Sequence, residues 1–266
     1  MNMRLPMGLS RRGGSTPSLS AQVEAILAGT QGFALDPSDL TTMHQDTART
    51  VPVASASDPV GNIRSKWGTT TYDIQQATAG ARPAWNGVGG MAFDNADDSL
   101  NFPLAMMRNR AACFVSFRMR PTTIGSDSTF FVSTGTSATT HRFDGLLQAD
   151  GSYRIGGRRL DADGLSSGLA PAATIAAATS YVMSMEIDYA GTGALRGWVN
   201  GALLVDKVIS GTPGNTSDTD SLAATFGRLA STRFDGLLGK FIFYPSIPTA
   251  EQRADVEAWI AEGALL

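Results

Sequence analysis

The chain has 266 residues, a formal net charge of −3 and 42% hydrophobic residues, enough for one large or two small domains whose core needs no covalent staples. A pI near 5.4 excludes the basic footprint of a nucleic-acid binder. The single cysteine, Cys113 in the apolar run AACFVSF, excludes an intrachain disulfide or a cysteine-based zinc cluster and reads as a buried thiol.

The first stretch, MNMRLPMGLSRRGG, lacks the apolar core of a signal peptide. No apolar run approaches the ~18 residues of a membrane span. We therefore expect synthesis and assembly in a bacterial cytoplasm. Residues 1–20 are rich in Gly, Ser, Pro and Arg without apolar periodicity, which predicts a flexible arm. A short helix should follow, capped by Ser20, with Val23, Ile26 and Leu27 on one face and Gly29 as its stop. Residues 1–30 together are expected to order only against a neighbouring molecule, with Arg4, Arg11 and Arg12 as docking charges. Residues 31–85 carry Asp-Pro pairs and many Thr and Ala; they read as loops and short strands packed on a larger body spanning 86–266.

From Gly89 the pattern is β. Charged residues make up only 17% of the chain, glycines number 29, and turn-like stretches recur, as in all-β domains. In residues 111–120, Cys113, Val115, Phe117 and Met119 share one face, while Ser116, Arg118 and Arg120 share the other. Residues 180–189 repeat the alternation: Tyr181, Met183, Met185, Ile187 and Tyr189 oppose Ser184, Glu186 and Asp188. Both predict half-buried strands with a polar, solvated face. Asn200-Gly201 predicts a type I′ hairpin. Leu237, Phe241 and Phe243 fall in step on a late strand, and the chain closes with a helix. There Thr249 and Gln252 form a capping box, Val256, Trp259 and Ile260 an apolar stripe, and Gly263 the stop. Strands at this spacing, ended by one short helix, mean an antiparallel β-sandwich.

The hexapeptide RFDGLL occurs at 142–147 and again at 233–238. Its flanks share only alternation, so the two copies are one structural device used twice, with Asp-Gly marking a bulge or bend.

The stretches RGWVNGALLVDK and FDGLLGKFIFYPSIPTAEQRADVEAWIAE resemble the last strands and terminal helix of concanavalin A-like (laminin-G-like) jelly rolls. GVGGMAFDNADDSLNF is similar to their opening strand, with Asn95 where Gly is usual; Asn tolerates the left-handed conformation. The segment from GFALDPSDLTTMHQDTARTVPVASASDPVG to ARPAW resembles the lead-in to this fold in structural proteins of tailed phages, prophages and gene transfer agents. The resemblance covers about residues 31–266. It implies a virion component such as a spike, fibre or decoration protein, oligomeric and joined to other virion proteins by its arm. It also implies a lectin-like domain for host surface glycan.

Some relatives on this scaffold are glycosidases with a Glu-x-Asp active strand, which Glu186 and Asp188 echo. The partner acid would stand at 190 or 191, where the chain has Ala190 and Gly191. Retaining hydrolysis needs a second carboxyl about 5 Å away, and the remaining Glu residues (Glu24, Glu251, Glu257 and Glu262) fall in predicted helices. A non-enzyme is therefore expected, with a polysaccharide depolymerase or a ligand-free particle-stabilising protein as alternatives. Candidate glycan contacts are Glu186, Asp188 and Trp198 on a sheet face, with Arg158 and Arg159 for an acidic polysaccharide. Trp259 is assigned to the core, and Trp67 and Trp85 to packing on the sandwich. Asp94, Asp97 and Asp98 read as turn caps, with calcium as their alternative use; Asp161 and Asp163 are read the same way. His44 and His141 lack a zinc pattern. No cofactor is expected otherwise.

Overall fold

A computed structural model describes residues 17–102, 106–134, 140–218, 224–229 and 232–265. The arm residues Arg4, Arg11 and Arg12 lie outside them.

The lead-in contributes α1 (Leu19–Leu27), β1 (Phe33–Leu35), β2 (Met43–His44), β3 (Asn62–Arg64), β4 (Asp73–Gln75) and β5 (Ala84–Trp85). The body continues with β6 (Met91–Asp94), β7 (Leu100–Asn101), β8 (Ala112–Pro121), β9 (Ser128–Thr134), β10 (His141–Leu147), β11 (Tyr153–Gly157) and β12 (Ser166–Leu169). Then come β13 (Tyr181–Asp188), β14 (Ala194–Val199), β15 (Ala202–Val208), β16 (Thr225–Phe226), β17 (Arg228–Leu229), β18 (Thr232–Arg233), β19 (Asp235–Tyr244) and α2 (Ala250–Ala261). Two large antiparallel sheets face each other. One runs β15-β14-β13-β8-β19-β6-β5 with β1 also on β19; the other runs β12-β11-β10-β9-β16-β7-β4-β3-β2.

The lead-in is woven into both sheets rather than laid over them. Phe33 pairs with Phe243 on the last strand, and β2, β3 and β4 extend the second sheet outward from β7. Its apolar residues Phe33, Leu35, Met43, Val60, Ile63 and Ile74 share one core with Phe117, Phe131, Phe226 and Phe241.

The helix of the lead-in is capped by Ser18 rather than Ser20; its side chain accepts from the Ala21 N–H. The helix orders against its own chain. Val23 and Leu27 are fully buried with Phe114, Ile242, Val256, Trp259 and Ile260 in a second apolar layer. This corrects the expectation that all of residues 1–30 wait for a neighbour. Two helices therefore cover the outer face of the first sheet. Strand β8 buries both of its faces in consequence: Cys113, Val115, Phe117 and Met119 toward the sandwich core, Phe114 and Ser116 toward the helices. The Ser116 and Ser184 hydroxyls satisfy each other at 2.9 Å in that dry layer. Burial pushes the Cys113 thiol well up, so it stays a neutral core group.

Helix α2 has the expected Thr249–Gln252 capping box and buries Val256, Trp259 and Ile260. Asn200 and Gly201 both adopt positive φ, as the type I′ hairpin between β14 and β15 demands. Asn95 takes φ 59°, the left-handed conformation expected of it. On β19, one extra residue between Leu238 and Phe241 shifts the register against β8. The bulge resets the alternation, so Leu238 rather than Leu237 joins Phe241 and Phe243 in the core.

The RFDGLL copies lie in different sheets. The first fills β10, an inner strand; the second straddles the end of β18 and opens β19. Phe143 and Phe234 are core residues in both copies, but Arg142 is buried where Arg233 is only half-buried. A register shift follows Gly145 on β10, whereas Gly236 makes a bend at φ 150°.

Candidate functional site

Glu186, Asp188 and Trp198 lie on the outer face of the first sheet, which the sequence reading left open to solvent. Helix α2 closes it. Glu186 is 3% exposed and Trp198 4%, with the Arg253 guanidinium 4.2 Å from the Trp198 ring centroid. Trp198 thus has no ring face free for a sugar. The Glu186 carboxylate accepts from Arg196 at 3.0 Å, and burial raises its pKa against the pull of that arginine. Asp188 spends both oxygens on the turn that follows, accepting from Gly191 N–H at 2.9 Å and Thr192 N–H at 2.7 Å.

Arg158 and Arg159 follow β11 on the other sheet, so the structure does not group them with Glu186. The Arg158 guanidinium donates to the Asp163 carbonyl at 3.2 Å, and Arg159 lies 3.7 Å from the Asp163 carboxylate. Trp85 donates to the Pro37 carbonyl at 3.1 Å. Trp67 leans on Trp259, with ring centroids 5.4 Å apart. Trp259 is fully buried.

Asp94, Asp97 and Asp98 converge, with one oxygen of each within 4.8 Å of the others. Two of them act as turn caps: Asp98 accepts from the Asp94 N–H at 3.1 Å and Asp94 from the Ala96 N–H at 2.8 Å. Burial, then the neighbouring Asp94 charge, pushes the Asp98 carboxyl up to about 6. These carboxylates are the groups that could hold a hard cation.

A different region has the geometry of a binding groove. A cavity of about 350 Å³ opens between the sheets, lined by Gln31, Phe33, Tyr72, Met106, Arg108, Asn109, Arg110 and Phe243. Tyr72 also borders a shallower depression of about 470 Å³ on the outer side of the second sheet, lined by Asp73, Gln75, Asn101 and Phe102 among others. Tyr72 is the residue that lines both.

Each wall is held in place. The Tyr72 N–H donates to the Ser65 hydroxyl at 2.7 Å and its carbonyl accepts from the Ser65 N–H. Its ring packs on Phe33, centroids 5.1 Å apart. The turn carrying Arg108 and Arg110 is braced by residues 215–217. Buried Thr216 accepts from the Arg110 N–H at 2.8 Å and donates to the Met107 carbonyl at 2.5 Å. Asn215 donates to the Asn109 side chain at 2.9 Å, and Asn109 itself sits at φ 49°, a conformation asparagine tolerates. On the other side Gln75 and Asn101 are register partners on adjacent strands. They point outward because Ile74 and Leu100 point in. The Gln75 Nε2 donates to the Thr47 carbonyl and the Asn101 Nδ2 to the Gln75 carbonyl, each at 3.3 Å; each amide also carries an oxygen that can accept.

Sequence reading missed this groove. Its residues come from four separate segments that no local pattern links. The one signal within reach was Arg108-Asn109-Arg110, two cations packed into a short turn between strands.

The two facing antiparallel sheets with short covering helices define a lectin-like jelly-roll fold. No protein-family model matches the chain, and neither does any curated protein. Among solved structures, the chain is similar to the carbohydrate-binding module CBM40 of the Ruminococcus gnavus IT-sialidase bound to α2,6-sialyllactose. That match has a TM-score of 0.50 at 16% identity and covers 63% of this chain and 96% of the module. A Trypanosoma rangeli sialidase in complex with the inhibitor DANA gives 0.52 at 10% identity, over 85% of this chain but only 32% of that enzyme. A heptameric SAP-like pentraxin from Limulus polyphemus gives 0.46 at 16% identity, over 60% of this chain and 77% of that one. At such identities the likeness is one of fold.

Proposed function

We propose that the chain is a non-catalytic glycan-binding jelly roll borne by a phage-type particle, and that its ligand lies in the groove centred on Tyr72. The observation that carries the reading is the groove itself: an aromatic ring flanked on one side by two arginines and on the other by paired amide side chains. A sugar ring offers an apolar face to the tyrosine and hydroxyls to the amides, the division of labour that small-ligand sites use. The fold shared with a module whose structure holds sialyllactose supports the same reading. A catalytic role for Glu186 is disfavoured by its ion pair with Arg196 beneath α2.

Glycan-array screening followed by calorimetry tests the binding. Tyr72→Ala and Asn101→Ala should each weaken the bound glycan about 10-fold, the scale of a lost stacking or hydrogen-bonding partner, with the fold checked by thermal melting. Binding that survives both changes would remove the groove from consideration.

The particle context rests on the resemblance of residues 31–266 and on the Arg-bearing arm. Mass spectrometry of purified particles should find this chain. Deleting residues 1–16, with Arg4, Arg11 and Arg12, should abolish its incorporation while leaving glycan binding intact. The chain is expected to act as a homo-oligomer among other virion proteins. Particles devoid of the chain would end that part of the proposal.

A further inference from the structure

Arg110 is a half-buried guanidinium that meets no carboxylate among the described residues. Its Nε donates to the Met106 carbonyl at 2.9 Å, and its plane lies 5.9 Å from the centroid of the Phe243 ring. Arg110 lines the 350 Å³ cavity, and among the described residues its two terminal nitrogens donate to no protein group. The ion pairs of the described residues do not include it. Desolvation by burial lowers its pKa, and Tyr72 and Cys113, not a carboxylate, are the side chains whose electrostatics offset that. Partly burying a cation without a counter-charge costs stability. Several other arginines of this fold are compensated: buried Arg142 meets Asp161, half-buried Arg154 meets Asp144 and half-buried Arg159 meets Asp163.

The uncompensated charge is also immobilised. Thr216 holds the Arg110 backbone from both sides, accepting its N–H and donating its own N–H to the Arg110 carbonyl at 2.9 Å. A second arginine, Arg108, borders the same cavity. A planar guanidinium with two open N–H edges matches one anionic group in bidentate fashion.

We propose that the groove selects an acidic sugar, with Arg110 taking the anionic substituent of a ring that stacks on Tyr72, and the following sugar reaching Gln75 and Asn101. This rests on the glycan-binding reading above and specifies its ligand class. Tyr72 lines both the arginine-bearing cavity and the amide-lined depression, so an oligosaccharide laid across the tyrosine would place its acid at one end and neutral hydroxyls at the other.

Matched oligosaccharides test it: a uronic-acid oligomer, its methyl ester and a sulfated oligomer of equal length, titrated into the full chain at low and high salt and set beside a broad neutral glycan array. The uronate or the sulfated oligomer should bind at least about 10-fold more tightly than the neutral ester, the range for a charged hydrogen bond, and added salt should narrow the gap. The tighter of the two anions identifies which acid the groove takes. Arg110→Gln should abolish the preference for charge while leaving the weaker binding of the ester. Arg110→Lys should retain part of the preference, which a purely structural role for Arg110 would not predict. Equal binding of acid and ester, or a preference unchanged in Arg110→Gln, overturns the acidic-sugar assignment alone. Neutral array members binding with no acidic counterpart binding better does the same. Failure of every glycan on the array overturns the glycan-binding reading and this inference with it.

Discussion

The Arg253 guanidinium of α2 lies 4.2 Å from the Trp198 ring centroid on β14, and with that contact the C-terminal helix seals a sheet face that strand alternation assigned to solvent. The adjacent Glu186 is caught in the same enclosure, paired with Arg196.

Trp198→Ala should therefore act on stability and not on ligand. Loss of a buried tryptophan is expected to cost about 3–5 kcal/mol, read from urea denaturation, with oligosaccharide affinity unchanged by calorimetry. Glu186→Ala should likewise leave affinity unchanged. A large loss of binding in either variant at intact fold would return the site to this face.

Leu27 is fully buried between α1 and α2. Leu27→Ala should cost about 2–5 kcal/mol in the isolated chain. A stability change near zero would mean that α1 is detachable, as the arm reading had it.

The Asp98 carboxyl, raised to about 6 in the fold, is protonated more readily folded than unfolded. Its contribution to stability is complete below about pH 4 and is lost as the pH rises through about 6; the ionised form opposes folding above that. Asp98→Asn, which keeps an acceptor for the Asp94 N–H, should match the wild type near pH 4. Above pH 6 it should be more stable by about 1–2 kcal/mol, the pKa shift discounted for solvent screening. Melting temperatures across that range check it. Calcium that raised the wild-type melting temperature at pH 7, but not that of Asp98→Asn, would establish the cation-binding use of the cluster.

The two RFDGLL glycines should both resist alanine, for different reasons. A Cβ at Gly145 would stand 2.2 Å from the buried Phe130 ring, and one at Gly236 would stand 2.4 Å from the Arg120 carbonyl on a backbone at φ 150°. Each change is expected to cost about 1–3 kcal/mol or more. Gly80→Ala, with nothing within 4 Å, is the control and should stay within about 1 kcal/mol of wild type. Tolerance at Gly145 would show that the β9–β10 crossing is looser than its packing implies.

Local grammar alone determined much of this protein. Alternation placed Cys113, Val115, Phe117, Met119, Met183, Met185 and Ile187 on inward faces, Thr249 and Gln252 announced the capping box, and Asn200-Gly201 announced a hairpin. Each is a short-range preference of backbone and side chain that needs no partner to be read. Tertiary structure decided what lies against each face. A period of two assigns residues to sides of a sheet but cannot say which side is dry, because Ser116, Ser184 and Glu186 are polar and yet buried once they bond one another or Arg196. The bulge on β19 moved Leu238 inward through pairing with β8, and α1 found its place because Val23 and Leu27 had a second helix to meet. The groove is the extreme case. Tyr72 meets Arg110 and Phe243 around one cavity and Asn101 around the other only when both sheets are assembled, and an arginine left without a carboxylate is visible only after the partners it could have had are in position.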